Sequence, residues 1–246
     1  MKVFTIALFI TSFFAFNSVS QLLDPNSFFR GFLETSKNNF ACGFPGVNVP
    51  SLDPFQLSSY STSFGSVGGI SNVQITVDNA AVTGLSNFNI LAFDSNFLSL
   101  SITFLFNFPQ LNINGMHTTS YDDSPFGGGN IENGAGTLLG SASNVQVGVT
   151  LGFSLFPFGL SSQNVNSVSV GSTSFTADGF STAAKNTQFN NALSNGIPNW
   201  VANNLPSINS QLQAAFVDYA NERLSGFFSV DSIINTMTSY VPPACN

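Results

Sequence analysis

Three stretches of this chain alternate strictly between apolar and polar residues, and that period of two limits the fold more than any other feature. Val73, Ile75 and Val77 alternate with Asn72, Gln74 and Thr76. Leu98, Leu100, Ile102, Phe104, Phe106 and Phe108 alternate with Ser99, Ser101, Thr103 and Asn107. Val145, Val147, Val149, Leu151, Phe153 and Leu155 alternate with Asn144, Gln146, Thr150 and Ser154. Side chains of an extended strand point to opposite faces in turn, so each stretch predicts a strand with one oily and one wet face. Two of the runs reach about 11 residues, against a usual five or six. Long half-buried antiparallel strands predict a sheet that curls around something.

The pattern holds from about residue 57 to residue 181 and has helical spacing on either side. Residues 22–37 predict a short helix, with Asp24 as cap, Pro25 in the first turn and Phe28, Phe29, Phe32 and Leu33 on one face. A segment with Pro45, Pro50 and Pro54 follows, too rich in proline for helix or central strand. Helical spacing returns over 184–237, where Pro206 suits a first turn and Ile208, Leu212, Ala215, Phe216, Tyr219 and Arg223 fall three or four apart. Helix, strands, then helix is α+β by segregation, and the C-terminal helix is the simplest cover for the oily face of the sheet.

Charge narrows the function. Only 7% of residues are charged, against roughly 25% in an average soluble domain, and 28 phenylalanines face a single histidine. Residues 1–20 read as a secretory signal peptide: Lys2, a short apolar run to Phe16, then Ser18 and Ser20 before a cut ahead of Gln21. The run is interrupted by Thr5, Thr11, Ser12 and Asn17, too polar for the ~20 apolar residues of a membrane span. Residues 21–246 are then one exported domain. It keeps four basic residues (Arg30, Lys37, Lys185, Arg223) against 12 acids, a net charge of 4 − 12 = −8. Nucleic acid and anionic membrane surfaces are disfavoured partners, since both need clustered Lys and Arg. Stable membrane insertion is not expected, and the protein is expected to be a monomer. Cys42 and Cys245 form an even pair in an oxidising compartment and are expected to bond, free thiols being the alternative.

Reactive chemistry is sparse. His117 with Asp122 or Asp123 and a serine is the only triad that could be assembled, and no Gly-x-Ser-x-Gly elbow accompanies it. Asp122, Asp123 and Glu132 form the one acidic cluster and read as a solvated turn; no metal or other cofactor is expected. The Gly127-Gly128-Gly129 run lacks the Lys-Ser/Thr ending of a phosphate loop and reads as a hairpin. An enzyme is therefore not expected. The aromatic residues on oily faces remain as candidates to line a ligand site: Phe88, Phe104, Phe106, Phe153, Trp200, Phe216 and Tyr219. Ligand pockets are mostly apolar with a few orienting polar groups, and Tyr219 could supply one.

Four strings fall in a familiar order: Gly46-Val47-Asn48-Val49-Pro50-Ser51-Leu52-Asp53-Pro54-Phe55, Val82-Thr83-Gly84-Leu85-Ser86-Asn87-Phe88, Phe108-Pro109-Gln110-Leu111-Asn112-Ile113-Asn114-Gly115, and Asn199-Trp200-Val201-Ala202-Asn203-Asn204-Leu205-Pro206 before the last helix. Together they resemble the arthropod takeout and haemolymph juvenile-hormone-binding protein family. The resemblance implies a long antiparallel sheet wrapped around one long helix and enclosing an apolar tunnel, like one half of the lipid-transfer proteins of the bactericidal permeability-increasing type. It implies a secreted carrier of a small lipophilic ligand, terpenoid, juvenile-hormone-like or fatty-acid-like. The alternative is a surface-active or structural extracellular protein of the same fold with no dedicated ligand. The family's two closely spaced N-terminal cysteines are not matched, since Cys42 stands alone there.

Overall fold

The structure is a computed structural model that describes residues 25–37, 41, 43, 51–96, 98–124, 129–155, 158–210, 213, 217 and 221. Helix α1 (Pro25–Ser36) precedes seven strands: β1 (Phe55–Val67), β2 (Ile70–Thr83), β3 (Asn89–Asn96), β4 (Ser101–Asp122), β5 (Ile131–Leu155), β6 (Phe158–Ser169) and β7 (Ser172–Ala177). Helix α2 (Ala183–Asn203) follows, with Pro198 inside it and Thr182 as N-cap, its hydroxyl accepting from the Lys185 amide. Residues 205–210 continue helically after Asn204. The predicted helix–sheet–helix order is the observed one.

All pairings are antiparallel, in the order β1-β2-β4-β5-β6. β3 shares the edge of β4 with β2, and β7 shares the edge of β5 with β6. The spine is the β4–β5 hairpin, paired from Ser101↔Gly152 to Asp122↔Ile131 without a register shift. At ~3.3 Å per residue, the contour of β5 is about 80 Å, too long to stay flat over a single-domain core.

Asparagines bend this sheet. Asn72, Asn79 and Asn144 have φ of 51°, 50° and 50° within strands. Asparagine is among the few non-glycine residues that tolerate left-handed backbone, and such residues mark bulges. Each marks a point where the buried side changes parity. In β2 the buried residues step by three from Ile70 to Val73 and from Val77 to Ala80. In β4 the inward positions are even up to Phe108 and odd from Gly115 onward. β5 changes likewise between Gly140 and Val145. The β4–β5 ladder stays in register because Asn144 stands between the pairs Phe108↔Val145 and Gln110↔Ser143, opposite Pro109.

This seam divides the sheet in two. On one side Val73, Ile75, Val77, Tyr121, Leu138, Phe180 and Phe189 form a continuous buried core with Ala192 and Leu193 of α2. On the other, Phe88, Ile90, Val145, Leu160 and Val165 are buried outside that cluster.

Candidate functional site

The half of the sheet beyond the seam carries an aromatic ladder. Phe104 stacks on Phe106 at 5.3 Å with rings 14° apart, and Phe106 leads to Phe108 at 6.3 Å. Phe88 meets Phe106 and Phe108 edge-on at 5.2 and 6.2 Å, and Phe93 meets Phe104 at 5.2 Å. Across β5 the ladder faces Val149, Val147 and Val145. Phe88 is 4% exposed, whereas Phe104, Phe106 and Phe108 are only half-buried. Burial along β4 shows the contrast: residues 101–108 are uniformly intermediate, while over 115–121 every odd position is buried and every even one is not. Strong cover is thus missing where the aromatic density is highest.

Local chemistry holds Phe88 in place. Asp53 accepts from the Gly84 and Ser86 amides at 3.0 and 2.8 Å, and from the Ser86 hydroxyl. Burial raises the Asp53 pKa, but these hydrogen bonds outweigh it and hold the carboxyl below its ordinary value. Gly84 has φ 96°, and a Cβ there would lie 2.2 Å from the Gln110 carbonyl oxygen. Three of the four strings that carried the family resemblance therefore meet at one turn. The Lys37 ammonium lies 4.9 Å from the centre of the Phe88 ring and also pairs with Glu34. Arg30 of α1 donates to the Ile90 carbonyl at 2.8 Å.

The sequence candidates separate accordingly. Phe88, Phe104 and Phe106 come together. Phe153 continues the inner face past Leu151 and pairs with Leu160. Trp200 stands apart: it packs edge-on against Phe64 at 4.7 Å, beside the closed core. Phe216, Tyr219, Cys42 and Cys245 lie outside the described residues, as do residues 1–20, Asp24 and the first two glycines of the triple-glycine run. Phe93 and Phe108 were missed as candidates, although Phe108 ended an alternating run that already marked its face.

His117 is 2% exposed. Its Nε2–H donates to the Asp178 carbonyl at 2.9 Å and its Nδ1 is hydrogen-bonded to the Thr119 hydroxyl at 2.8 Å. The ring lies parallel to Phe189, 6.3 Å away. Both nitrogens are occupied, so the imidazole is a satisfied core group rather than the base of a triad. Asp123, 1% exposed, pairs with Lys185 and accepts from the Asn130 amide at 2.8 Å. These contacts hold its carboxyl below the usual range, and the same ion pair raises Lys185. Glu132 is 3.8 Å from Lys185. Asp123 is thus not the solvated turn residue the sequence suggested, because α2 brings Lys185 over it. A separate open groove, lined in part by Gln74, Thr76, Thr118 and Asn133, includes none of the aromatic ladder. Among the described residues, no helix is long and apolar enough to cross a membrane.

A search of curated proteins finds no match. Among solved structures, the chain is similar to Takeout 1 of Epiphyas postvittana, with a TM-score of 0.53 and 12% identity over 87% of this chain and 92% of that one. That likeness confirms the long curved sheet with its C-terminal helix. The sequence profile of the haemolymph juvenile hormone binding protein family matches residues 7–234. With a match of that extent, the chain belongs to the haemolymph juvenile hormone binding protein family.

Proposed function

We propose that this protein is a secreted, monomeric, non-enzymatic carrier that holds a small lipophilic molecule in an apolar tunnel along the inner face of its sheet. The ladder Phe104–Phe106–Phe108, backed by Phe88, carries the proposal, because it places aromatic surface inward without fully burying it. Family membership supports the same reading. Removing a ligand from water gains ~25 cal/mol per Å², so burying about 400 Å² yields on the order of 10 kcal/mol before the costs of association. Affinity in the micromolar range or better then needs no reactive group. In this reading residues 1–20 direct export and are removed, residues 21–246 form the carrier domain, and Cys42 bonds to Cys245. The ligand belongs to the terpenoid, juvenile-hormone-like or fatty-acid-like lipophiles.

Native mass spectrometry of the protein from its own secretion, followed by organic extraction, tests this. A stoichiometric adduct of a lipophilic molecule is the expected result. A bare mass that stays bare after a panel of lipids is offered would overturn it in favour of the surface-active reading.

A further inference from the structure

Gln163 is the odd residue in the apolar half. It lies on β6 between buried Leu160 and Val165, is 5% exposed, and faces inward while Ser161, Ser162 and Asn164 are exposed. Its Oε1 is buried with no hydrogen-bond partner among the described residues. Two other side-chain atoms among the described residues share that state, Asn107 Oδ1 and Gln188 Nε2, but both residues are only half-buried. Gln163 alone is buried as a whole residue.

Its place in the sheet is informative. Gln163 pairs with Leu151, and Leu151 with Ile102, making one cross-strand row on the inner face. The adjacent row is Phe104–Val149–Val165, where the ladder begins. From Ile102 to Phe108 is six residues of strand, about 20 Å. Among the described residues, the inner surface is thus an apolar track with a single unsatisfied amide near one end. Buried polar groups in folded proteins are nearly always paired, and an exception calls for a partner the protein itself does not supply.

Resting on the carrier reading, we infer that Gln163 is the polar anchor of the ligand site and that the ligand is a lipophilic alcohol, with its hydroxyl on Gln163 and its apolar body along Phe104–Phe108. The chemistry selects the hydroxyl. A carboxamide presents an acceptor at one end and donors at the other, and it can turn either end inward. A hydroxyl can satisfy either end without carrying charge, donating to Oε1 or accepting from Nε2. A carboxylate would bring an unpaired charge into this region, at high cost.

The test uses the full secreted chain and three probes of equal size: hexadecan-1-ol, 1-methoxypentadecane and heptadecane, each competing with a fluorescent apolar dye. The comparison is the ratio of alcohol affinity to alkane affinity in the wild type and in Gln163→Met, with Gln163→Leu as a second variant. That ratio should fall about tenfold in either variant, as for the loss of one buried hydrogen bond, with heptadecane affinity held. The melting temperature should stay level or rise, since an unpaired buried amide has been removed. An unchanged ratio would overturn the assignment and leave Gln163 to a trapped water. A methyl ether that tracks the alcohol in both proteins would overturn the hydroxyl. Failure of all three probes to displace the dye would instead sink the carrier reading on which this rests.

Discussion

Asp53 shows how much of the site depends on single atoms. Its carboxylate takes the two amides and the hydroxyl that close the Gly84–Ser86 turn, and Phe88 follows directly. Its pKa is lower folded than unfolded, so its stabilising contribution is full above the unfolded value and is lost as pH falls through the folded one. Asp53→Ala should cost about 1 kcal/mol in urea unfolding at neutral pH, a modest figure because the site is partly wet. The gap from wild type should close as pH drops below about 4. Gly84→Ala should cost more, about 3 kcal/mol, because both its φ and the Gln110 carbonyl oppose a side chain. Tyr121 carries the opposite sign. Burial, then the charges of Glu132 and Asp123, push its phenol up to about 12. The neutral form stabilises the fold below the ordinary tyrosine pKa of about 10, and that contribution is lost as pH rises toward 12. Phenolate absorbance should show a late ionisation step, and Tyr121→Phe should remove it.

At the scale of elements, asparagine explains how so uncharged a chain closes its sheet. An edge strand exposes unpaired amides and carbonyls. Here helices cover them with side chains. Asn26 of α1 accepts from the Ser95 amide of β3 at 2.9 Å. Asn190 and Ser194 of α2 accept from the Ala177 and Phe175 amides of β7 at 2.7 and 2.8 Å. Asn209 and Asn221 accept from the Val165 and Leu160 amides of β6 at 2.8 and 2.7 Å. Asn190 also donates to the Ala177 carbonyl at 3.3 Å, so it replaces a strand partner at both backbone groups. Asn190→Ala should cost about 1–2 kcal/mol in urea unfolding, with two half-buried backbone groups left unpaired. A surface asparagine with no edge to serve would cost a few tenths. This layer was not legible in the sequence. The spacing of Asn186, Asn190 and Ser194 is four and four, a visible helical stripe, but polar stripes ordinarily face water. Only the arrival of β7 beside α2 gives it a role. The alternating strands were legible because burial of one face writes itself directly into the period of two. The β4–β5 hairpin was read only in its Phe- and Val-rich half. In the other half Asn112, Thr118 and Ser120 alternate with residues such as Gly115 and His117, whose burial hydropathy does not announce.

For the whole molecule, the contrast between the two halves of the sheet matters more than any one residue. Periodicity could place Phe104 and Phe106 on the oily face of a strand and Trp200 on a helix, but not say which half of the sheet each joins. The seam at Pro109 and Asn144 decides that for the strands, and the packing of α2 on Phe64 puts Trp200 beside the closed core. The closed half has aromatic residues at full burial: Tyr121 and Phe189 at 0% exposure, 5.5 Å apart. The aromatic half leaves its ladder half-covered. Local stability follows apolar burial, so amides of one continuous hairpin should open at different free energies. In hydrogen exchange without ligand, β4 amides over 115–121 should exchange near the global unfolding rate, and those over 102–108 at least tenfold faster. Saturation with a lipophilic ligand should slow 102–108 and its β5 partners over 145–151, leaving 115–121 unchanged unless global stability rises with it. Protection raised equally along the whole hairpin would mean that the ligand acts only through global unfolding. Protection confined to the closed half would place the ligand against Trp200 and Phe64 instead. The hairpin records both outcomes in one chain segment, because its register runs through the seam unbroken while its burial does not.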